Sequence, residues 1–363
     1  MSSGGPVPQE LSIAVAGGGI IGLSVAWRLA QSGWTVTVFD QSAAGGEASW
    51  AGAGMLAPGG EFEASSRLTG LALESRREYR TFVRELETES GTDIDFGECG
   101  ALDLAFSAEE LEALHERARR QSAMGIHSKA LELSQVHAFW PRIRHDALAG
   151  ARFYPDDAIV NPREMVYALK IACRKRGVRT EEHCRVQRLV IGVKGVTVRT
   201  EQGSAEYRAA VVAAGAWSSQ LEVEGVPDLP STQPVKGQLI GYRQPEGTCA
   251  TIVRHGSFYF LQRANGLMIA GASVEHSGFN REVSPTVTEQ LAKQAGLVFP
   301  HLEETTPSEV WVGFRPGGKE LQLGSWRSPR LYLAYGHYRN GILLAPVTAK
   351  IIAAEINARW QRP

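Results

Sequence analysis

The chain has 363 residues, of which 43% are hydrophobic and 21% charged, and its formal net charge at pH 7 is −1. A length above about 250–300 residues predicts more than one domain. The balanced charge lacks the basic excess of nucleic-acid-binding proteins, so no nucleic acid is expected as a partner.

The cysteines and the N-terminus indicate a reducing, cytoplasmic setting. The four cysteines form no CxxC pair, and no His/Cys cluster has metal-ligand spacing, so no metal site is expected. Residues 1–10 are rich in Gly, Pro and Ser and lack the features of a signal peptide, which predicts a flexible N-terminus. Because no apolar run approaches the ~18 residues of a membrane helix, we expect no stable membrane association.

The first predicted elements form a βαβ unit. An apolar strand at 11–16 precedes a helix over 20–31, and a β-branched strand follows at 34–39. The turn between the first strand and the helix reads Gly17-Gly18-Gly19-Ile20-Ile21-Gly22, a GxGxxG motif, and Asp40 ends the second strand. An acid at about this spacing is expected in a dinucleotide-binding fingerprint.

Each residue of this motif has a physical role in binding a dinucleotide. Gly17 permits the tight turn, Gly19 lets the backbone approach a pyrophosphate, and Gly22 lets the helix pack closely on the sheet. Asp40 would accept hydrogen bonds from a ribose and would disfavour the 2′-phosphate of NADP. A strand so close to the N-terminus favours FAD over NAD. So does the segment VVAAGAWS at 211–218, where Ala214 and Gly215 could contact a second part of the cofactor.

The remaining elements alternate at both ends of the chain and are rich in strands in the middle. Helices are predicted near 64–90, 108–124, 161–176, 285–297 and 344–360, with strands near 99–106, 186–200, 207–213 and 331–334 and several between 234 and 275. This order predicts an α/β fold, a Rossmann-like FAD-binding domain with an inserted α+β substrate domain built on an antiparallel sheet. We assign 11–90, 150–225 and 310–363 to a discontinuous FAD-binding domain, and 91–149 and 226–309 to the substrate-binding domain.

Two further segments have the composition of cofactor-binding loops. The small residues of 48–58 could lie against a flavin ring, and Trp50, Met55 and Leu56 within this loop are expected to be buried. The segment 336–346 has the strand–turn–helix order that places a helix N-terminus near negative charge, and Arg339 within it could reach a substrate.

These segments resemble the glycine oxidase (ThiO-type) branch of the D-amino-acid oxidase family of FAD enzymes. The resemblance runs from residue 13 to residue 346. It rests on VAGGGIIGLSVAWRLAQSGWTVTVFD, ASWAGAGMLAP, VAAGAWS, SFYFLQRANGLMIAGASVE, VWVGFRPGG and GHYRNGILLAP. The second and last of these segments are the most specific.

The resemblance implies positions for the cofactor and the substrate. It implies that Arg315 and Tyr259 bind the substrate carboxylate, that Arg339 contacts the substrate, and that Val274 lines the pocket. Gln262 stands where the family often has Pro, and this leaves the substrate range open. The FAD contacts that it implies are Ile20, Ile21, Asp40, Gln41, Ala48, Ser49, Ala53, Gly54, Met55, Val186, His337, Tyr338, Arg339, Asn340, Gly341, Ile342 and Leu343.

The implied reaction is oxidative deamination of glycine and other small amino acids. A hydride passes from Cα to flavin N5, the imine is hydrolysed, and O2 is reduced to H2O2. Some related amine oxidases attach flavin through a cysteine near the last loop. No cysteine follows Cys249, so noncovalent FAD is expected. The resemblance also implies a homotetramer or homodimer and suggests a link to thiamine biosynthesis.

Several alternatives stay open from the residues alone. The enzyme could be a sarcosine or D-amino-acid oxidase, a quinone-linked D-amino-acid dehydrogenase, or the flavin domain of a tRNA-modifying enzyme. Arg315, expected in a Gly-Phe-Arg-Pro turn, could form a structural ion pair, and Tyr259 could be a half-buried strand aromatic. Lys236 is expected to be a charge at a strand edge.

Overall fold

The computed structural model describes residues 11–360. The predicted flexible segment 1–10 and the last three residues of the predicted FAD-binding segment 310–363 lie outside the described residues.

The strands and helices follow the predicted order closely. Short 3₁₀ helices cover Gly215–Gln220, Pro300–Leu302 and Tyr338–Asn340. The α-helices are α1 (Ile20–Gln31), α2 (Ala48–Ala51), α3 (Pro58–Glu61), α4 (Arg67–Ser90), α5 (Ala108–Ser122), α6 (Leu133–Phe139), α7 (Pro162–Lys175), α8 (Pro285–Val298) and α9 (Gly341–Trp360). The strands are β1 (Ser12–Ala16), β2 (Thr35–Phe39), β3 (Met55–Leu56), β4 (Phe96–Gly97), β5 (Ala101–Ala105), β6 (Lys129–Leu131), β7 (Gly150–Tyr154), β8 (Ala158–Val160), β9 (Arg179–Glu181), β10 (Val186–Ile191), β11 (Val196–Thr200), β12 (Gly203–Tyr207), β13 (Ala209–Val212), β14 (Glu222–Glu224), β15 (Gln233–Arg243), β16 (Ile252–His255), β17 (Phe258–Gln262), β18 (Leu267–Gly271), β19 (Glu309–Gly317), β20 (Gln322–Ser325) and β21 (Leu331–Tyr335).

A six-stranded sheet carries the predicted βαβ unit. Its order is β20-β21-β13-β1-β2-β9, and β1 runs parallel to both β2 and β13. Strand β1 is buried along its whole length, which is typical of a parallel strand covered on both faces. Helices α1, α4, α7 and α9 pack against one another, and the ring of Trp27 meets Phe82 edge-on within this helical layer.

An eight-stranded sheet forms the second large layer. Its order is β19-β15-β18-β17-β16-β5-β7-β6, and every neighbouring pair is antiparallel except β16 with β5. Helix α8 packs on β15 and β18, and α5 packs on β5 and β7. Strands β7 and β19 belong to this sheet although the sequence assigns their segments to the FAD-binding domain. Pairing between distant segments, which a linear division cannot detect, places them here.

Two smaller sheets complete the fold. Strands β3, β8 and β4 form a three-stranded antiparallel sheet. Strands β12, β11, β10 and β14 form a four-stranded sheet. The predicted strand at 207–213 is divided, because β12 ends at Tyr207 and β13 begins at Ala209.

Lys236 is not a charge at a strand edge, and that prediction is wrong. Its strand β15 lies between β19 and β18, so the residue is inside the sheet and only 3% exposed. The ammonium group donates a hydrogen bond to the carbonyl oxygen of Glu282 at 2.7 Å and pairs with the carboxylate of Glu275 at 3.3 Å. A buried cation needs such partners, and both come from a segment far along the chain.

The end of the chain also corrects an expectation. The helical segment Tyr338–Trp360 is long and apolar enough to cross a membrane by length and composition, contrary to the absence of such a run expected from the sequence. Within its most apolar window, 56% of the residues are buried in the protein. The helix packs against α1 and α4, so the interior of the fold accounts for its apolar surface.

Candidate active site

A cleft of about 1790 Å³, including its open mouth, is lined by residues from both large sheets. Its walls come from the loop after β1, the loop around α2 and α3, the end of β13, the central strands of the large sheet, and the turn before α9. This arrangement joins the predicted cofactor loops to the strands that carry the predicted substrate residues.

The glycine motif has the backbone geometry that its sequence predicts. Gly17 has a φ of +112°, and a Cβ atom there would lie 2.3 Å from the carbonyl oxygen of Ala213. A Cβ atom on Gly22 would lie 1.9 Å from the carbonyl oxygen of Gly17. Gly17 and Gly19 line the cleft, whereas Gly22 does not. Gly22 instead lets α1 approach the loop that forms the wall.

Asp40 lies at the end of β2 and faces the same loop. One carboxylate oxygen accepts the backbone N–H of Gly18 at 2.8 Å, and the other accepts the N–H of Ser42 at 2.8 Å. Burial raises the pKa of Asp40, while these two N–H groups oppose the increase. The Ser42 hydroxyl also donates to Oδ1 at 3.0 Å, so Oδ2 is the oxygen that keeps a lone pair for a hydroxyl hydrogen. The side chain is therefore positioned to bind a ribose beside the glycine loop.

The loop containing α2 is fixed to the large sheet by two side chains. The indole N–H of Trp311 donates to the carbonyl oxygen of Ala51 at 2.9 Å. The buried Arg263 donates to the carbonyl oxygens of Gly52 at 3.2 Å and Ala53 at 3.0 Å. These bonds hold the small-residue wall of the cleft in one position.

The same loop joins the first cofactor motif but exposes one residue that we expected to be buried. The backbone N–H of Ile20, at the start of α1, donates to the hydroxyl of Ser49 at 2.9 Å. Trp50 is 41% exposed, contrary to expectation. Its ring points away from the cleft wall and stacks under the guanidinium of Arg163, 3.8 Å from the ring centre. This cation–π contact explains how an aromatic residue is accommodated at the surface.

Arg315 lies in β19 rather than in a turn, and its guanidinium faces the cleft. It rests against Gly237 of β15, where a Cβ atom would lie 2.4 Å from Nη1. Nη1 donates to the carbonyl oxygen of Ser273 at 3.0 Å. Within residues 11–360, no carboxylate lies within salt-bridge distance of Arg315, so the alternative of a structural ion pair finds no partner there. The guanidinium can bind an anion that enters the cleft.

Tyr259 of β17 lines the cleft beside Arg315. The residue is 8% exposed, and burial raises the pKa of its phenol, which Arg315 and Arg339 partly oppose. The hydroxyl therefore keeps its proton at neutral pH and can donate a hydrogen bond. Its neighbour across the strands is Gly271, where a Cβ atom would lie 3.0 Å from the Tyr259 hydroxyl.

Glu61 is a cleft residue that the sequence analysis missed. It ends the single-turn helix α3, and its carboxylate lies 3.1 Å from the guanidinium of Arg339. Arg339, and not Arg315, is therefore the cleft arginine that forms an ion pair with a described carboxylate. Glu61 belongs to no motif identified in the sequence. The one indication of its role is that it directly follows the cofactor-loop segment ASWAGAGMLAPGG.

The turn before α9 closes the cleft. The 3₁₀ helix at 338–340 leads directly into α9, so the N-terminus of that helix faces the cavity. His337 is buried, and its Nε2 atom lies 2.9 Å from the hydroxyl of Thr348. Burial lowers the pKa of His337 to about 3, so the ring is neutral at physiological pH.

Most of the predicted site residues meet at this cleft, and three do not. Val274 is 51% exposed and does not line the cleft, although Ser273 and Glu275 on either side of it still bond to Gln238 and Lys236 of β15. Leu343 lies inside α9, where its carbonyl oxygen accepts the hydroxyl of Ser75 at 2.6 Å. Gly22 supports the loop from behind. The predicted residues that line the cleft are Gly17, Gly19, Ile20, Ile21, Asp40, Gln41, Ala48, Ser49, Ala53, Gly54, Met55, Val186, Ala214, Gly215, Tyr259, Arg315, His337, Tyr338, Arg339, Asn340, Gly341 and Ile342.

The residues present fit a dinucleotide with a flavin. The glycine cradle at Gly17 leaves no room for side chains, the N-termini of α1 and α9 both face the cavity, and Asp40 supplies the acceptor for a ribose. In the described part of the chain, no three His, Cys, Asp or Glu side chains are grouped to hold a metal ion.

Comparison with known proteins agrees with this geometry. The family model described as DAO, FAD dependent oxidoreductase, matches residues 12–355. The glycine oxidase of Geobacillus kaustophilus is 33% identical over 350 residues, covering 95% of this chain and 92% of that protein. The crystal structure of glycine oxidase from Geobacillus kaustophilus matches with a TM-score of 0.89 at 31% identity, covering 95% of this chain and 94% of that one.

A longer relative is also similar. The bifunctional protein ThiO/ThiG of Synechocystis sp. is 35% identical over 352 residues, which cover 94% of this chain but 51% of that protein. The chain thus spans about half the length of that relative. Together the matches confirm the predicted fold class, the resemblance to glycine oxidases and the dependence on FAD. The chain belongs to the DAO family of FAD-dependent oxidoreductases.

Proposed function

We propose that the chain oxidises glycine and other small primary or secondary amino acids with FAD, passing the electrons to O2 to give H2O2. One observation carries the proposal. Arg315 faces the cofactor cleft without a carboxylate partner among the described residues, beside the protonated hydroxyl of Tyr259. A half-buried cation of this kind favours an anionic ligand, and a carboxylate matches the guanidinium through two parallel hydrogen bonds.

The residues of the chain would bind and orient the amino acid. Arg315 fixes the carboxylate, and Tyr259 can donate a further hydrogen bond to it. When bound, FAD supplies the acceptor for the hydride that leaves Cα. Positioning of this kind can contribute much of the rate acceleration when a cofactor carries the chemical step. The resulting imine is hydrolysed to the 2-oxo acid and ammonia when the amino acid is primary, or to the 2-oxo acid and an amine when it is secondary.

We propose that each of the two large sheets forms the centre of one domain. The six-stranded sheet and its helices form the FAD-binding domain, since Asp40 and the glycine loop follow its parallel strands. The eight-stranded sheet forms the substrate-binding domain, since it carries Tyr259 and Arg315. Relatives named glycine oxidase support a small amino acid as substrate.

An anaerobic titration of the purified protein tests the function directly. Glycine, sarcosine, D-alanine and D-proline are added in turn while the flavin absorbance is followed, and peroxide is then measured in air. We expect bleaching by glycine and peroxide on reoxidation. Bleaching without peroxide would indicate a quinone-linked dehydrogenase. No bleaching by any member of the panel would contradict amino-acid oxidation.

The location, assembly and pathway of the enzyme are also proposed. We propose a cytoplasmic homotetramer or homodimer, supported by four cysteines that are all free and by the family resemblance. A supply role in thiamine biosynthesis is supported by the relatives named ThiO/ThiG. Light scattering of the purified protein tests the assembly, since a monomer at micromolar concentration would contradict it. Growth of a deletion strain without thiamine tests the pathway.

A further inference from the structure

We infer that Glu61 binds the ammonium group of the substrate and accepts a proton from it, acting as a catalytic base ahead of oxidation. The inference rests on the proposed function, since it assigns the second charged end of an amino acid to this site. Three observations carry it: the rigid placement of Glu61, the charges of the cleft, and the positions of the other acids that line it.

Helix α3 is a single turn, yet buried polar groups hold it from outside the cleft. The side chain of Gln121 donates to the carbonyl oxygens of Gly59 and Phe62, both at 2.8 Å. The N–H of Gly59 donates to the carboxylate of Asp157 at 3.2 Å. Side chains from distant parts of the chain therefore fix the direction in which Glu61 points.

A buried ion network lies directly beneath this turn. A Cβ atom on Gly60 would lie 2.5 Å from Nη1 of Arg254, so the helix rests on that guanidinium. Arg254 is paired with Asp157 at 2.8 Å and also with Asp103. Since these two carboxylates neutralise Arg254, it supports α3 without needing Glu61 as its counter-ion.

The acids that line the cleft all have partners, Glu61 with Arg339, and they differ in their position. In the part of the chain that the structure describes, these acids are Asp40, Glu47 and Glu61. Asp40 accepts backbone N–H groups at the glycine loop, and Glu47 pairs with Arg281 at 2.6 Å. Glu61 interacts electrostatically with both Arg315 and Tyr259, so it lies in the same part of the cleft as these two residues.

The charges around Glu61 match those of a zwitterion. If Arg315 holds the carboxylate, the ammonium group needs an acceptor nearby, and a carboxylate is the strongest one available. Arg339 lies 3.1 Å from Glu61 and restrains its side chain, which makes Arg339 a positioning residue. The carboxylate of Glu61 is 14% exposed, so a ligand in the cleft can reach it.

The protonation chemistry is consistent with this role. Burial raises the pKa of Glu61; the guanidinium groups of Arg339, Arg254 and Arg315 oppose the increase, and Asp157 adds to it. A carboxyl group with a raised pKa is a stronger base than an ordinary glutamate. In the proposed step one N–H bond of the ammonium breaks, its electron pair stays on nitrogen, and an O–H bond forms on Glu61. The neutral amine then has the lone pair that develops into the imine as Cα is oxidised.

A substitution at Glu61 and a matched control two residues away test the inference. Glu61→Gln keeps the shape of the side chain and removes its basicity. Glu63→Gln makes the same change at a neighbouring acid that is exposed to solvent and paired with Arg120 at the surface. The measured quantities are the rate of anaerobic flavin bleaching by glycine across pH, and the affinity for acetate, which has a carboxylate but no amine.

We expect Glu61→Gln to bleach with glycine about 100-fold more slowly near neutral pH, the usual size of a general-base effect. The loss should shrink at high pH, where free amine is present in solution. Acetate should bind as tightly as before or more tightly, because a negative charge has left the cleft. Glu63→Gln should match the unmodified protein in every measurement.

Three results separate this inference from the proposed function. If the unmodified protein is not bleached by any amino acid, the proposed function fails. If it is bleached and Glu61→Gln behaves like Glu63→Gln, Glu61 is not the base. Equal losses of glycine turnover and acetate affinity would show a merely structural role. Should Glu61→Gln not retain FAD, Glu61→Asp keeps the charge at a shorter reach and must show a reduced rate with the same pH dependence as the unmodified protein.

Discussion

Gly237 and Arg315 lie on paired strands, and the guanidinium of Arg315 occupies the space in which a side chain at position 237 would begin. Strands β15 and β19 are antiparallel, with Gly237 opposite Gly313 and Val235 opposite Arg315. A Cβ atom on Gly237 would lie 2.4 Å from Nη1 and 2.5 Å from Cζ of Arg315. The absence of a side chain at Gly237 therefore determines where the proposed carboxylate-binding group sits.

Gly237→Ala should weaken substrate binding while the protein stays folded. The group that must give way is the end of a flexible side chain, so the guanidinium can move at little cost in stability. A displacement of about 1 Å can cost about 100-fold in catalytic efficiency. We expect a higher KM for glycine with unchanged FAD content. Gly97→Ala is the control, since its Cβ atom would meet nothing closer than 3.6 Å. An unchanged KM in Gly237→Ala would show that Arg315 does not hold the substrate from its present position.

Arg315→Leu should raise the KM for glycine by about 100-fold, because hydrogen bonds to a charged group contribute about 1.5–3 kcal/mol each. No ion pair to Arg315 is broken within residues 11–360, so FAD content should be unaffected. Acetate affinity, measured from the flavin spectrum, should fall in parallel. Arg199→Leu removes an exposed arginine from β11 and should change neither quantity. Retained acetate binding in Arg315→Leu would remove Arg315 from the site.

The cofactor half of the site could be predicted from sequence because its signals are local. The glycine turn, the helix after it and Asp40 lie within 30 residues, and their roles follow from backbone geometry at Gly17 and Gly22. The substrate half depends on strand pairing between segments far apart. Gly237 matters only because β15 pairs with β19, and Glu61 only because α3 packs on Arg254 of β16.

The errors have the same origin. Lys236 was expected at an edge, because a single strand does not reveal its neighbours on both sides. Val274, placed in the pocket by resemblance, is exposed, although Ser273 and Glu275 on either side of it still bond to β15. Helix α9 is apolar around much of its circumference because α1 and α4 bury it, a fact that requires the tertiary structure.

Gly17→Ala should abolish FAD binding. The residue has a φ of +112°, and a new Cβ atom would lie 2.3 Å from the backbone oxygen of Ala213, which cannot move as a side chain can. The turn must therefore shift at the point where the pyrophosphate is expected. Gly70→Ala provides the matched control in α4, where nothing lies within 4 Å of the new atom. That control should bind FAD normally and gain about 0.5–1 kcal/mol in stability. Normal flavin content in Gly17→Ala would contradict the assigned role of the loop.

The FAD should be released by acid precipitation. Of the free cysteines, Cys173, Cys184 and Cys249 are buried and Cys99 is half-buried. None of the four lines the cleft. A thioether to the flavin would need one of them at the wall of the cavity. We expect the yellow colour in the supernatant, with the absorption spectrum of free FAD. Colour that stays in the washed pellet would contradict noncovalent binding.

Acid should destabilise the protein partly through His337. Burial holds the pKa of this ring at about 3 in the folded protein, below the ordinary value of 6.5. The unfolded chain therefore takes up a proton that the folded protein refuses, and the stabilising contribution is lost as pH falls from about 6.5 towards 3. At about pH 5 the loss is about 2 kcal/mol. Urea unfolding at about pH 7 and pH 5 with saturating FAD measures it. His337→Gln should lose about 2 kcal/mol less than the unmodified protein over this interval, whereas His276→Gln, at an exposed position, should lose the same amount. Equal losses of unfolding free energy in all three proteins would mean that His337 is protonated in the folded protein at about pH 5. The ring that lies beside Thr348 would then not be neutral there.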